Sequence, residues 1–396
     1  WGSFNGGFNI GALANTLTVT NVLGGSGGLT KTGAGSVALS GINTYSGGTT
    51  VSSGYLRLNS SRALGAGPVN MTGMNCELDL TGGLVVTNAI TLRGVGVVNS
   101  AGSLQSASGT TNVWSGPVTL GENQARIGGI GGTLEISGVI GSGTNKFDLV
   151  VRNPNDFGGT LLLSNNNTWQ GNTWVRCGTI KLGVNDALPL LTVVQLGLNA
   201  GQTGVTNAAL DLAGFSQRIA GLTDAGSDNA HLVTNSAATA STLTVSNTTA
   251  YTFAGVLSGN LNLVKIGAGT QSLSGLNASF GSVVVSNGTL AVSGAGSLGD
   301  SCTNIVVAGG TLALSNALSV ADAACVRIAN GGGAKVSVAA GVNESVGFLF
   351  FDDKQKPGGT YGGTGSGAAV IDPEHFSGTG LLTVLHGTRG TLLTLR

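Results

Sequence analysis

Residues 28–58 read GLTKTGAGSVALSGINTYSGGTTVSSGYLRL. Their apolar side chains, among them Val37, Leu39, Val51 and Leu56, alternate with small polar ones, and Gly, Asn and Ser fill the intervals. Alternation with a period of two, bounded by turn-forming residues, is typical of β-strands and does not match the period of about 3.6 residues of a helix. The stretch therefore predicts short strands joined by tight turns.

The same stretch returns twice, at residues 147–182 and 260–292. When Leu39, Leu163 and Leu273 are aligned, the same residue types recur at four, twelve, fifteen and seventeen positions further on. The matching sets are Asn43, Asn167 and Asn277; Val51, Val175 and Val285; Gly54, Gly178 and Gly288; and Leu56, Ile180 and Leu290. A register kept over that length indicates an internal structural repeat, which decides the fold class.

The first copy follows the pattern G-x-L-x-K-x-G-x-G-x-x-x-L-S-G-x-N-x-Y-x-G-x-T-x-V-x-x-G-x-L, which resembles the autotransporter-associated β-strand repeat of bacterial surface proteins. The third copy keeps Lys265 but has Phe280 one place later than Tyr45. The second copy has NPND at residues 153–156 in place of the K-T-G-A run, and Trp169 in place of the tyrosine. The resemblance implies a β-rich bacterial surface or secreted protein. It implies no activity, since the repeat has no catalytic residues.

The resemblance covers most of residues 24–385, and the composition agrees with a repetitive β-fold. The chain has 70 glycines without a collagen period, and charged residues make up 9% of it, against roughly a quarter in typical globular proteins. No segment shows a convincing helical period. We therefore predict an all-β, right-handed parallel β-solenoid with three strands in a coil of roughly 20 to 25 residues. An antiparallel sandwich array is the structural alternative.

Two domains are predicted from the distribution of these patterns. Residues 1–345 form the β-solenoid with the three repeat copies, and residues 346–396 form a β-rich C-terminal cap and tail strand.

The 17 basic and 17 acidic side chains cancel without forming blocks, so no nucleic-acid partner is expected. The longest apolar run, near residues 188–198, is too short to span a bilayer. Because the chain begins at Trp1, we expect that any signal peptide has been removed or omitted.

The carboxylates that could serve catalysis fall in three groups. Parallel β-helices can host polysaccharide-active enzymes, which need carboxylates, or a base near a metal, converging on one face. The candidates are Asp352 and Asp353; Asp372, Glu374 and His375; and Asp224, Asp228 and His231. Each group lies in a turn or loop pattern, so the chain is predicted not to be an enzyme. Neither a calcium pattern nor zinc-ligand spacing is present, and no cofactor is expected.

The repeated asparagines, the aromatic residues of the motif and two of the cysteines are interpreted as structural. Asn43, Asn167 and Asn277 are expected to satisfy backbone groups at turns. Tyr45, Trp169 and Phe280 could stack on sugars but are better interpreted as core or turn residues. Cys302 and Cys325 lie 23 residues apart, close to one coil, which makes a disulfide between stacked strands possible in a secreted protein.

The function predicted from these observations is that of a secreted, extracellular or cell-surface structural protein, a rigid rod that assembles head-to-tail into a homopolymeric filament or surface layer. Terminal coils expose unpaired backbone groups, and a tail strand could add to the first coil of the next subunit. The residues assigned to this assembly are Trp1, Phe4, Phe8, Thr16, Val19, Leu392, Leu393 and Leu395. The alternatives are an adhesin or passenger-type protein that binds a cell-surface glycan, and a β-helical polysaccharide-active enzyme.

Overall fold

A computed structural model describes residues 2–97, 102–107, 109–152, 159–197, 207–225, 231–277 and 281–387. The described residues contain β-strands and turns and no α-helix. The chain divides into two compact units, one of Trp1–Asp211 with Ala225–Asp228 and one of Leu212–Asp224 with Asn229–Arg396.

The strands of the first unit are β1 (Gly6–Asn9), β2 (Thr16–Val19), β3 (Leu29–Thr32), β4 (Ser36–Leu39), β5 (Thr49–Val51), β6 (Gly54–Leu58), β7 (Val69–Met71), β8 (Cys76–Leu80), β9 (Val85–Val86), β10 (Ile90–Leu92), β11 (Leu104–Ser106), β12 (Thr111–Trp114), β13 (Val118–Leu120), β14 (Ala125–Gly129), β15 (Thr133–Ile136), β16 (Ile140–Gly141), β17 (Leu149–Val151), β18 (Thr160–Leu163), β19 (Thr173–Val175), β20 (Gly178–Leu182), β21 (Val193–Leu196) and β22 (Ala208–Asp211).

The strands of the second unit are β23 (Gln217–Ile219), β24 (Gly221–Asp224), β25 (Leu232–Asn235), β26 (Ser241–Val245), β27 (Tyr251–Phe253), β28 (Val256–Gly259), β29 (Leu261–Lys265), β30 (Thr270–Leu273), β31 (Ser282–Val285), β32 (Thr289–Val292), β33 (Asn304–Val307), β34 (Thr311–Leu314), β35 (Cys325–Ile328), β36 (Lys335–Val338), β37 (Asn343–Val346), β38 (Phe348–Phe351), β39 (Lys354–Gln355), β40 (Gly359–Gly362), β41 (Val370–Ile371), β42 (Phe376–Ser377) and β43 (Leu381–Val384).

In the first unit the strands stack into three parallel ladders. The strand orders are β1-β3-β5-β7-β10-β13-β16, β2-β4-β6-β8-β11-β14-β17-β19-β21 and β9-β12-β15-β18-β20-β22. Each strand therefore pairs with the strand one coil further along the chain, and every described pairing in this unit is parallel. Non-consecutive parallel neighbours of this kind define the coils of a β-solenoid.

The second unit has the same construction with a different ending. Its parallel ladders run β23-β26-β29-β31-β33-β35-β38 and β27-β30-β32-β34-β36-β42. Near the C-terminus β39 pairs antiparallel with β38, and β40 pairs antiparallel with β43. These short hairpin-like pairs break the coil pattern only after residue 348.

The three sequence repeats occupy equivalent positions in their ladders. Leu39 pairs with Leu58, Leu163 with Leu182 and Leu273 with Val292, which is the same spacing in each copy. The inward positions predicted for all three copies are buried, with at most 1% of their surface exposed: Leu39, Val51, Leu56, Leu163, Val175, Ile180, Leu273, Val285 and Leu290. Apolar side chains stacked in this way supply the continuous core of the coils.

The repeated glycine of the motif lies at a corner between two strands. Gly54, Gly178 and Gly288 have φ angles of 68°, 89° and 65°, a left-handed conformation that glycine adopts without steric cost. A Cβ atom at Gly54 would lie 2.4 Å from the carbonyl oxygen of Gly33, and one at Gly288 would lie 2.3 Å from that of Gly267. The backbone of one coil thus approaches the next too closely for any side chain at this corner.

The predicted all-β parallel solenoid is confirmed, and the antiparallel sandwich is wrong because the ladders are parallel. The handedness of the coil and the domain boundary at residue 345 stay predictions. The predicted disulfide is not present, since Cys302 and Cys325 are free thiols. Cys325 pairs in register with Asn304, because this coil is two residues shorter than the cysteine spacing requires.

An aspartate at an inward position should unfold the coil locally. We expect Leu273→Asp to lower the free energy of unfolding of the second unit by several kcal/mol, on the order of the cost of an unpaired buried charge. Ser272→Asp is the matched control, since Ser272 is the neighbouring, partly exposed residue on the opposite face of β30. Urea unfolding followed by far-UV circular dichroism measures both, and equal midpoints for the two variants would contradict the inward assignment.

Candidate functional site

The repeated asparagines connect three successive coils at one corner. The Oδ1 atom of Asn43 accepts a hydrogen bond from the backbone N–H of Leu23 at 2.8 Å, and its Nδ2 donates to the carbonyl oxygen of Ala63 at 2.6 Å. Both partners lie 20 residues away, one in the preceding coil and one in the following coil. The asparagine therefore satisfies backbone groups that the strand ladders leave unpaired at the turn.

The other two copies repeat this arrangement. Asn167 accepts from the N–H of Ile140 at 2.7 Å and donates to the carbonyl of Ala187 at 2.8 Å. Asn277 accepts from the N–H of Leu257 at 2.8 Å and donates to the carbonyl of Ser297 at 2.6 Å. The predicted role of the three asparagines at turns is confirmed.

A buried lysine closes the neighbouring corner in the first and third copies. The Nζ atom of Lys31 donates to the carbonyl oxygens of Thr32, Gly33 and Ser53 at 2.7, 2.8 and 3.0 Å. The side chain has no exposed surface. Three N–H donors thus meet three carbonyl acceptors from two coils, so the ammonium group is fully satisfied without a carboxylate.

Lys265 repeats the same cage in the third copy. Its Nζ donates to the carbonyls of Ile266, Gly267 and Asn287 at 2.7, 2.7 and 3.3 Å. Burial lowers the pKa of Lys265 to about 8, so the ammonium form still predominates at neutral pH. In the second copy Val151 has the corresponding register position, opposite Val175, and no lysine cage forms there.

The aromatic residues of the motif belong to the core. Tyr45 has no exposed surface, and its hydroxyl group hydrogen-bonds with Thr49 Oγ1 at 2.6 Å. Trp169 is 1% exposed, although it lines a groove of 530 Å³ together with Gln170 and Leu191. Neither ring presents a face on which a sugar could stack, which agrees with the core interpretation. Phe280 lies outside the described residues.

Two of the candidate acidic groups come together at the C-terminal end. The Nδ1 atom of His375 lies 2.9 Å from Asp372 Oδ2, and its Nε2 lies 2.9 Å from Asn330 Oδ1. Asn330 in turn donates two hydrogen bonds to the Asp352 carboxylate, one from its backbone and one from its side chain. Asn330 thus connects the two groups, although no sequence pattern singles it out.

The geometry of this cluster is that of a structural connection. The His375 side chain is nearly buried, and its ring stacks on Phe351 with a centroid distance of 3.8 Å and an interplanar angle of 10°. Both ring nitrogens already contact protein oxygens, so neither can take a proton from a substrate without breaking the cluster. Asp372 also accepts the backbone N–H groups of Glu374 and His375, which identifies it as the opener of a loop.

The other acidic candidates also bind backbone groups or face solvent. Both oxygens of Asp224 lie 3.1 Å from the backbone N–H of Ala254, and one lies 3.4 Å from Nδ1 of His231, which is 1% exposed. Asp353 is exposed at a turn, with Arg327 at 3.4 Å. Asp228 lies outside the described residues. None of these arrangements brings two free carboxylates to one face.

The described residues contain no group of three or more His, Cys, Asp or Glu side chains arranged to hold a metal ion. They also contain no helix with the length and apolar character needed to cross a membrane.

The residues assigned to assembly are only partly described. Phe4 and Phe8 stack on each other with a centroid distance of 5.8 Å, and both are partly exposed. Thr16 is exposed and Val19 is buried in β2, which pairs with β4. Trp1, Leu392, Leu393 and Leu395 lie outside the described residues.

The stacked coils and their repeated corner bonds define a parallel β-solenoid repeat protein. Residues 29–58, 158–182 and 263–292 match the passenger-associated-transport-repeat family. The adhesin BmaC autotransporter of Brucella suis is 28% identical over an alignment that covers 76% of this chain and 10% of the relative. This chain therefore spans about a tenth of that relative's length. No solved structure matches the chain significantly.

These matches confirm the resemblance inferred from the repeat pattern: the chain contains three copies of the passenger-associated transport repeat. The matched segments include both caged lysines and all three bridging asparagines.

Removing one caged ammonium should destabilise the second unit. In Lys265→Met three partly buried carbonyl oxygens lose their donor, and an unsatisfied group costs up to about 1 to 3 kcal/mol when it is fully buried. We expect a lower urea midpoint, measured by circular dichroism. The control is Lys354→Met, which replaces an exposed lysine and should leave the midpoint unchanged. A Lys265→Met variant as stable as the native chain would show that the cage contributes no net stability.

Proposed function

We propose that this chain is a segment of the secreted passenger of an autotransporter-type protein, located at the cell surface, where it serves as a structural, non-enzymatic solenoid. The support comes from the passenger-repeat matches and from the likeness to a protein named as an autotransporter adhesin. The single observation that carries the proposal is the repeated corner, at which asparagine side chains join successive coils in all three copies.

This use of polar residues favours a structural role over a catalytic one. In an enzyme, ionisable groups converge in a cleft and stay available to the substrate. The polar residues of the motif here are already hydrogen-bonded to the backbone. Lys31 contacts three carbonyls, and His375 has protein oxygens at both ring nitrogens. The polar groups that recur with the repeat thus hold one coil to the next.

The experiment compares the native chain with the triple variant Asp372→Asn, Glu374→Gln and His375→Gln on neutral and acidic polysaccharides. We expect no turnover by either protein. We do expect a stability difference. Partial burial raises the pKa of the Asp372 carboxyl, but the hydrogen bonds and charge of His375 outweigh it and leave the pKa below its usual value. The native chain therefore gains stability from Asp372 above pH 4 or so, and loses it as the pH falls through the lowered pKa.

Two readouts distinguish the outcomes. Thermal unfolding of the native chain should depend on pH below about 4 more steeply than that of the triple variant, because only the native chain carries the linked carboxylate. Turnover of any polysaccharide by the native chain that the triple variant has lost would contradict the non-enzymatic proposal.

The finer proposal is that copies of the chain associate head-to-tail into a filament. What supports it is the edge formed by β1 and β2, each of which pairs with one strand only among the described residues. Leu17 on β2 is 36% exposed. Unprotected edges accept strands from other chains, and a head-to-tail contact does not close on itself.

Two changes test this assembly. Deleting residues 387–396 removes the strand predicted to be donated, and Leu17→Lys places a charge on the accepting edge. We expect both to give monomers by sedimentation velocity and no filaments by negative-stain microscopy. Leu191→Lys, at an exposed leucine away from β2, is the control and should assemble as the native chain does. Filaments from the truncated chain would rule out strand donation.

Adhesion is the second candidate function, and it is favoured by the likeness to the Brucella relative, which is named as an adhesin. That name describes a protein of which this chain matches 10%. Binding of the purified chain to arrays of cell-surface glycans tests the candidate, with a heat-unfolded sample as the control for non-specific adsorption.

A further inference from the structure

Three arginines lie close together on the outer face of the first unit. The inward side chains of β14, β17 and β19 are buried, apolar except for Thr173, and alternate with outward ones. In register, Arg126 is opposite Val150, and Val150 is opposite Trp174. Arg152 and Arg176 each follow directly after the last residues of β17 and β19 that pair, Val151 and Val175. The alternation therefore brings the three arginines to one side of three successive strands.

Within the described residues these guanidinium groups have no carboxylate partner. In the part of the chain that the structure describes, the ion pairs involve Arg57, Lys181, His231, Arg327 and His375, and none involves the three arginines of this cluster. The Nε atoms of Arg126 and Arg176 are buried and lack any hydrogen-bond partner. Arg176 as a whole is only 6% exposed.

The contacts that Arg176 does make are to neutral groups. Its Nη2 donates to Gln124 Oε1 at 3.4 Å, and its guanidinium lies 5.2 Å from the centroid of the Trp174 ring. Burial, and after it the charges of Arg176 and Arg152, lower the pKa of Arg126 to about 10. Burial and the charge of Arg152 likewise lower the pKa of Arg176. Among the described residues, no carboxylate compensates these like charges.

We propose that Arg126, Arg152 and Arg176 form a binding site for an oxyanion, namely the carboxylate or sulfate group of an acidic polysaccharide. A planar guanidinium donates two parallel hydrogen bonds to such a group, which the compact ammonium of a lysine cannot do. Arg126 and Arg152 are partly exposed, which leaves the cluster open to solvent on their side. An acidic glycan supplies the missing negative charge.

The size and chemistry of the cluster distinguish it from the other basic residues. Arg57 and Lys181 each face an aspartate one coil further on, at 3.7 and 3.9 Å, and are neutralised within the protein. The arginine cluster concentrates three positive charges in a chain that has only 17 basic residues and a net charge of zero. Removing one arginine should therefore relieve repulsion when no anion is present.

The experiment uses the full chain of residues 1–396 and the variants Arg126→Gln, Arg176→Gln and Arg62→Gln, the last being an exposed arginine outside the cluster. Thermal unfolding is measured at constant ionic strength with sodium sulfate, a galacturonate oligomer, a sulfated galactan oligomer and a neutral galactan oligomer. Binding of the oligomers is measured by isothermal titration calorimetry.

We expect the acidic oligomers to bind the native chain and the Arg62→Gln variant saturably and to raise their melting temperatures, with no effect of the neutral oligomer. In Arg126→Gln and Arg176→Gln the affinity should fall at least tenfold, while the melting temperature without anion stays the same or rises. Arg176→Lys keeps the charge without the fork and should bind with intermediate affinity, which excludes unfolding as the cause.

Three results would overturn the proposal. The first is equal binding of the acidic oligomers by the native chain and the two cluster variants, and the second is an equal loss of binding in Arg62→Gln. The third is saturable stabilisation by sodium sulfate with no binding of either acidic oligomer, which would assign the cluster to a free inorganic anion.

Discussion

In a parallel solenoid the backbone groups at each corner need hydrogen-bond partners, and the bonds that supply them set the register of the coils. Strand ladders satisfy the backbone groups within the flat faces, whereas the turns between faces leave N–H and C=O groups pointing toward neighbouring coils. A buried group without a partner costs about 1 to 3 kcal/mol, so the corners must be filled with matching donors and acceptors. Asn43 does this with one amide, since its oxygen serves the coil before and its nitrogen serves the coil after. Because those bonds span 20 residues in each direction, they admit one alignment of the leucine rows beneath them.

The rows of inward residues could be predicted from sequence because alternation is a local property that repeats with the coil. Leu39, Val51 and Leu56 are buried as the pattern required. The asparagine corners could be predicted for a related reason, since a short amide in a glycine-rich turn has few other roles. The lysine cage could not be predicted. A lysine in an alternating strand is ordinarily expected to face solvent. Two of the carbonyls that hold Lys31 directly follow it in sequence, but the third belongs to Ser53 in the next coil, which only the fold brings close.

The errors and omissions have similar causes. The cysteine spacing of 23 residues suggests one coil, but coil length varies with the turns, and Cys325 pairs with Asn304. Likewise, the second copy has Val151 where the others have lysine, although the aligned sequences place residues 153–156 there. The contact between the Asp372 and Asp352 groups was missed because Asn330, which joins them, lies far from both in sequence. The cysteine pairing and the missing lysine of the second copy both follow from the number of residues in a coil. The contact through Asn330 becomes visible only in the folded structure.

The ladder of β36 and β42 shows how a solenoid handles extra length. Val336 pairs directly with Phe376, whereas on the previous rung Leu312 pairs with Val336. The intervening residues leave this ladder and take part in other parallel and antiparallel pairs, and the chain returns to the ladder at β42. The number of residues can therefore vary in the turns, whereas the pairing between stacked strands stays fixed. A protein built in this way can acquire or discard a side branch by a single insertion or deletion, so its outer features can diversify while the pairing beneath them stays the same.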